Sequence, residues 1–235
     1  MTPFLRPLFV GFLALGLAAC GTETDTAQPL DGVENVSEST AEIPAGTYAI
    51  DASHSEIGFR ARHFGISNVD GNFTDFTGTI TVPETGLDGM TASLVAQTAS
   101  IDTDNEQRDG HLTGEDFFFA SEYPEVTFET TSVTPTGGNA FEMTGNLTMR
   151  GVTKPVTLTG EYIGAAVVGE TQKIGFEASG EIVRQEWDLT WQNTNEAGEL
   201  AVSDDIRLMI GVEADRQDET AADAPAEGEA APADA

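Results

Sequence analysis

Positive charge is what this chain has least of. Ten Lys and Arg stand against forty Asp and Glu, a formal net charge of −30 over 235 residues. A surface of that sign excludes nucleic acid as a partner and direct docking on anionic headgroups. The deficit is not confined to the chain ends, because residues 47–213 carry 8 basic and 27 acidic side chains. Adaptation to a salty habitat explains such an excess as well as any partner would.

Cysteine is nearly absent too. With Cys20 as the single thiol there is no internal disulfide, no cysteine-based zinc site and no thiol nucleophile on a rigid scaffold. No apolar run is long enough to span a bilayer. The longest, Leu8 to Leu17, follows Arg6 and has the length of a signal-peptide core. It leads into Leu17-Ala18-Ala19-Cys20, which resembles a lipoprotein cleavage box. Residues 1–20 are therefore expected to be a lipoprotein signal peptide, with Cys20 the lipidated residue and the membrane anchor. An ordinary secretory signal cut near Ala19 is the plainer alternative. Gly21, not Asp, follows the cysteine, which by lipoprotein sorting rules favours an outer-membrane protein facing the periplasm.

Large apolar residues are missing from both ends of the remainder. Residues 21–46 hold six acidic groups and no basic one, a composition unable to bury enough surface to fold. This segment is expected to be a disordered acidic tether with ends roughly 30 Å apart. Residues 214–235, rich in Ala, Pro and acid, read as a disordered acidic tail. One folded domain over 47–213 remains.

Catalytic patterns are few and each fails on inspection. His54 and Ser55 point to opposite faces if they lie on a strand. His54 and His63 have opposite parity, so on one strand they would diverge as well. A metal site from His63, His111 and a carboxylate is a minor alternative. Asp102 and Asp104 imitate the start of a calcium loop, but Gln107 stands where that loop needs Gly and Thr113 where it needs Glu. No phosphate-cradling Gly loop or dinucleotide fingerprint occurs. The expectation is a protein with no catalytic residue, no metal and no cofactor, hence not an enzyme.

Helical periodicity is scarce, and period two is abundant. Ile57, Phe59, Ala61 and His63 alternate with polar neighbours. So do Phe141 through Met149, Val156 through Tyr162, Ile174 through Ile182, and Ile206 through Val212. One apolar and one polar face per strand means antiparallel sheet wet on a single side. About eight such strands, separated by turn signals such as Gly137-Gly138-Asn139 and the stretch 85–89, predict an all-β antiparallel barrel with one or two short helices. The inward positions include Ala61, Ala96, Gly145, Gly160, Ala178 and Gly180 beside large aromatics. Small residues there leave room inside, or else interlock with large ones in a solid barrel; composition alone does not choose.

The stretch 108–128 organises the rest. Three consecutive phenylalanines, Phe117 to Phe119, cannot share one strand face. A short helical segment across 104–119, with cap spacing at Asp104/Gln107 and Thr113/Asp116, would lay most of them over the end of an apolar cavity. Pro124 stops it, and Val126 and Phe128 begin a strand.

Here the chain resembles the YceI-like family of lipocalin-like, polyisoprenoid-binding proteins. The residues that carry the resemblance are Arg108, Asp109, His111, Leu112, Asp116, Phe117, Phe118, Tyr123, Pro124 and Phe128. Further matches lie at 48–59, 63–65, 71–78 and 145–158. The resemblance implies a hollow barrel whose ligand is an isoprenoid or similar amphiphilic lipid, carried in the bacterial envelope. The expected cavity residues are Phe59, Ala61, His63, Phe73, Leu94, Ala96, Phe117, Phe118, Phe128, Phe141, Leu147, Leu158, Phe176 and Ala178. Arg184 and Trp187 are candidates for head-group contact, although a structural ion pair is the more ordinary role for Arg184. The family pattern has Arg followed by Phe-Gly, and Asp188 stands here in place of that Gly. The alternatives are a structural or adhesive surface lipoprotein with a packed barrel, or an enzyme acting on isoprenoid lipids. Oligomeric state is left open, a dimer included.

Overall fold

The structure is a computed structural model, and it describes residues 42–217. The signal peptide with Cys20, residues 21–41 of the expected tether and residues 218–235 of the expected tail lie outside the described residues; Gly46 and residues 214–216, expected in those segments, are instead strand, with Ala214 fully buried.

Eleven strands build one closed sheet, in which several short strands are the two halves of a bent long one. β1 (Gly46–Ile50) and β2 (Glu56–His63) run in succession along β11 (Val202–Arg216). Between them Ala52–His54 forms a 3-10 turn, capped by the Asp51 carboxylate accepting from the Ser53 N–H. β3 (Ser67–Phe73) and β4 (Phe76–Val82) repeat the device, pairing with β2 and β1 respectively. The bend is held by Thr74, whose N–H donates to the Ser100 carbonyl at 3.1 Å. β5 (Thr91–Gln97) and β6 (Ile101–Asp102) follow the same bend on the next path.

Four long strands then complete the meander: β7 (Glu125–Gly137), β8 (Ala140–Met149), β9 (Val152–Val168) and β10 (Thr171–Val183). Each pairs antiparallel with its neighbour in sequence, and β10 pairs with β11, which returns to β1. Counting bent paths once, this is an eight-stranded antiparallel barrel, as the period-two pattern predicts. Closure leaves no long unpaired edge. The β8–β9 link is two residues long, and Arg150 and Gly151 both take positive φ (48° and 74°). Such a turn twists in the same sense as the strands it joins.

The alternation translates into burial. Along β8, Phe141, Met143, Gly145, Leu147 and Met149 are buried while Glu142, Asn146 and their neighbours face out. Along β10 the buried parity runs on through Ile182 to Arg184.

The helical segment differs from expectation in number and start. Among the described residues there is a single α-helix, α1 (Glu106–Leu112). Its N-cap is Asn105, which accepts from the Arg108 N–H, not Asp104. Asp104 is turned to φ 59° while its own N–H donates to the Asp102 carboxylate at 2.8 Å, which moves the helix start one residue on. Thr113 starts no second helix; it closes the first by donating from Oγ1 back to the Asp109 carbonyl at 3.0 Å.

Candidate functional site

The two ends of the barrel are built differently. At the end where the first strand enters and the last leaves, Tyr48, Val82, Leu87, Met90 and Tyr162 are buried and packed together. Phe176 meets the Phe141 ring at 6.0 Å and the Tyr162 ring at 5.3 Å, so aromatic edges and faces fill this end. Burial raises the pKa of both Tyr48 and Tyr162. Tyr48 donates its hydroxyl to the Pro44 carbonyl at 2.8 Å.

Below this plug lies a cavity of about 150 Å³, and beyond it a second of about 290 Å³. They share Phe59, Phe73, Met149 and Leu208 as walls, so they are adjoining chambers of the barrel interior. Apart from Ser93, Thr127 and Glu177, the upper chamber is lined by apolar side chains and one glycine. A cavity near 150 Å³ is the size that holds a benzene-sized molecule. By that measure the two chambers hold on the order of three five- or six-carbon units.

The lower chamber is covered by α1 and the chain that follows it. Leu112, Phe117 and Phe118 form its floor, with Trp191 from the β10–β11 connection. The His111 ring meets Phe117 at 5.0 Å and Trp191 at 5.1 Å, both edge-on. Its Nε2 lies 3.0 Å from the Asp116 carboxylate. This cover is fastened at both ends. Arg150, from the tight β8–β9 turn, donates to the carbonyls of Glu115 and Phe117. Asp109 accepts from the Thr103 N–H at 3.0 Å, tying the helix to the strand before it. Of the three phenylalanines, Phe117 is buried and Phe118 and Phe119 are half-buried.

The residues expected to line a cavity all reach its walls. Leu94, Ala96, Phe128, Phe141, Leu147, Leu158, Phe176 and Ala178 line the upper chamber. Ala61, His63, Phe117 and Phe118 line the lower, and Phe59 and Phe73 line both. His63 sits at the exposed rim. The reading missed Leu208, Ile210 and Val212 of β11, although their alternation was visible. It also missed Arg62 and Arg108 among the lining residues: the alternation along β2 assigns Arg62 to the outward set, and Arg108 stands on a helix, outside any period-two pattern.

Two expectations need correction. The inward glycines do not leave empty space. A Cβ on Gly145 would meet Phe128 Cε2 at 2.6 Å, one on Gly160 would meet Phe141 Cε2 at 2.7 Å, and one on Gly71 would meet Phe59 Cζ at 2.5 Å. Each glycine is a seat for a ring from a neighbouring strand. The space lies further in, bounded by the rings that the glycines seat.

Arg184 and Trp187 are not available for a head group. Arg184 is 3% exposed. It donates Nε to the Ser203 carbonyl at 3.0 Å, Nη2 to Asp204 at 3.0 Å, and Nη1 to the Leu189 carbonyl. Burial pushes its pKa down, and Asp204 opposes that shift. The Trp187 indole donates to the Leu147 carbonyl at 3.0 Å in a buried position. Both close the barrel wall.

A polar cluster at the β1–β2 break was also missed. Asp51, His54 and Glu213 bring ligand atoms within 4.8 Å of one another, the one grouping of this kind among the described residues. Lys173 occupies the middle of it, with Nζ 2.8 Å from Glu213, 2.5 Å from Asp215 and 3.5 Å from Asp51. These carboxylates raise the Lys173 pKa, so the cluster already contains its cation. Ser53 Oγ and Asp51 both approach His54 through the same nitrogen, Nδ1 (3.1 and 2.8 Å). A Ser-His-Asp relay needs them on opposite nitrogens.

An up-and-down antiparallel barrel, plugged at one end and hollow within, is a lipocalin-like protein. The chain belongs to the YceI-like domain family, whose model matches residues 48–214. It is 35% identical over 184 residues to Protein YceI of Salmonella arizonae, covering 76% of this chain and 91% of that one. The crystal structure of the Campylobacter jejuni YCEI protein superposes with a TM-score of 0.59 at 35% identity, over 67% of this chain and 90% of that one. A polyisoprenoid binding domain from Saccharophagus degradans shares the fold alone, with a TM-score of 0.55 at 15% identity over 74% of this chain and all of that domain.

Proposed function

We propose that this protein binds a long-chain isoprenoid or similar amphiphilic lipid inside its barrel and carries it in the bacterial envelope. The observation that supports this most is the pair of adjoining, mainly apolar chambers, plugged at one end and reaching the rim at the other. The polyisoprenoid-binding domain with the same fold points to the same ligand class. Burying one five-carbon unit contributes roughly 4 kcal/mol before the costs of association. Two or three units then reach micromolar affinity without a polar contact. Such a site selects for chain shape and discriminates weakly between related chains.

The role is binding, not catalysis. The titratable side chains around the lower chamber are engaged with neighbours or face the rim, and none forms a nucleophile–base pair there. In this proposal Cys20 carries the acyl anchor and the barrel faces the periplasm from the outer membrane.

Native mass spectrometry of the purified protein tests the binding. A lipid should accompany the barrel, and Ala61→Trp or Ala178→Trp should displace it while the melting temperature is kept. In a solid barrel the same substitutions would be overpacking and cost typically about 1–3 kcal/mol. No lipid in the parent, with a sharp loss of stability in both variants, would overturn the proposal in favour of a packed structural barrel.

A further inference from the structure

One short edge survives the closure of the barrel. β9 pairs with β8 only as far as Glu161, opposite Ala140, and Tyr162 then donates its N–H to the Asn139 carbonyl at 2.9 Å. Beyond Ile163 the strand runs on to Val168 beside β10 alone. Gly169 and Glu170 close this hairpin, with Gly169 at φ 66°, as a type II′ turn requires. In a two-residue hairpin the closing pair, here Val168 and Thr171, exchange hydrogen bonds, and bonding to the partner strand recurs at every second residue. Ala165 and Val167 therefore turn their N–H and C=O groups to the side that has no strand among the described residues.

This edge is also bare of protection. The run Ile163–Val168 holds no charge and no proline. Ile163, Val167 and Val168 are 56%, 66% and 59% exposed, three of the five large apolar side chains that the described residues leave in water. The neighbouring hairpin is built otherwise. There β7 outruns β5 beyond Glu129, but its free run from Thr131 to Gly137 carries Pro135 and buries its one large apolar side chain, Val133. Proline and burial are the ordinary guards of a sheet edge, and β9 has neither.

The charge around the edge selects its occupant. Glu161 stands at its base and Glu170 at its tip, and neither has an ion pair among the described residues. Lys173, on the facing strand, is taken by Asp51, Glu213 and Asp215. Two copies paired edge to edge would bring Glu161 of one toward Glu170 of the other, on chains of net charge −30. A basic partner meets the same acids with attraction.

We propose that residues 163–168 of β9 accept an extended segment of a second protein as an added strand, a segment of β-branched residues flanked by Lys or Arg. Main-chain bonds to Ala165 and Val167 supply the affinity, and the two glutamates supply the choice of partner. The edge lies at the plugged end, next to the buried Tyr162. A partner bound there holds the barrel by its closed end and leaves the lower chamber free.

The test uses the full chain and three fluorescein-labelled peptides, read by anisotropy at low salt. They are Lys-Val-Thr-Val-Thr-Val-Lys, its twin with Glu at both ends, and a third with Pro for the central Val. The first should bind at least about tenfold more tightly than the others, and its lead over the Glu twin should shrink as salt rises. Hydrogen exchange at the Ala165 and Val167 amides should slow when it binds. Val167→Pro removes an outward N–H and no bond to β10, so it should keep the melting temperature and weaken that peptide by about tenfold or more. Glu161→Gln with Glu170→Gln leaves the backbone untouched and should bring the Lys and Glu peptides to within about threefold of each other. Equal binding of the three peptides, or a Lys peptide that binds with no slowing of exchange at Val167, overturns the proposal. So does a dimer in sedimentation that Val167→Pro dissolves, which would give the edge to a second copy. Slow exchange of both amides in the peptide-free monomer would give it to another segment of this chain, and overturns the proposal as well.

Discussion

The Phe128 ring packs against Gly145, so closely that a single Cβ there would come within 2.6 Å of the ring's Cε2 and 2.8 Å of the Glu129 carbonyl. The two residues sit on paired strands, β7 and β8, with Gly145 opposite Thr130 and Phe128 opposite Leu147. The ring therefore reaches diagonally across the sheet and uses the missing side chain as its seat. Phe141 and Gly160, and Phe59 and Gly71, make a like contact straight across the ladder, as directly paired residues of neighbouring strands. These contacts keep large rings against the wall and leave the barrel axis open.

Gly145→Ala should destabilise the protein by about 1–3 kcal/mol in urea unfolding, by forcing the ring off the wall. Phe128→Leu should relieve the clash, so that the double variant is more stable than the sum of the single changes predicts. Strict additivity would show that the ring and the glycine do not interact.

Arg184→Met should cost several kcal/mol, because it leaves the Ser203 and Leu189 carbonyls and Asp204 without their donor in a largely buried setting. Ligand affinity in whatever fraction stays folded should be nearly unchanged. A stable variant with weakened lipid binding would mean that Arg184 faces the ligand after all.

The turn between β1 and β2 should respond to pH through Asp51 and His54. Hydrogen bonding to Asp51, and then its charge, raise the His54 pKa. A group whose pKa is raised on folding contributes most below its unfolded value, and the contribution fades as pH rises through the folded one. Asp51 is lowered by hydrogen bonds from Ser53 and His54, so its share is lost as pH falls. The pair should support the turn most between about pH 4 and 6.5 and less above that window. His54→Gln should flatten the dependence of the melting temperature between about pH 6 and 8. An unchanged profile in that variant would assign the dependence to other groups.

Cys20→Ser should release the protein from membranes, since Cys20 is the single cysteine and ends a short apolar core. Fractionation after a high-salt wash reads the outcome. Continued sedimentation of the variant with membranes would mean that Cys20 is not the anchor.

The alternation of Phe141, Met143, Gly145, Leu147 and Met149 was enough to assign a face to each residue, because side-chain direction in a strand depends on parity alone. The same local rule brought Phe59, Phe176 and Ala178 to the wall before any pairing was known. Resemblance across motifs from Tyr48 to Leu158 then added the expectation of a hollow interior and of its ligand class. What parity cannot carry is distance across the sheet. Whether Gly145 opens space or seats a ring depends on Phe128, seventeen positions earlier and one strand away. Whether Arg184 meets a ligand or the wall depends on Asp204 and the Leu189 carbonyl, brought to it by the chain between β10 and β11. Arg62 and Arg108 come to one chamber through strand β2 and the helix after β6, elements that share no periodic signal. Facing is local and was legible in the sequence; the shape of the cavity and the pairing of its charges are sums over contacts between distant segments, and only the tertiary structure sets them.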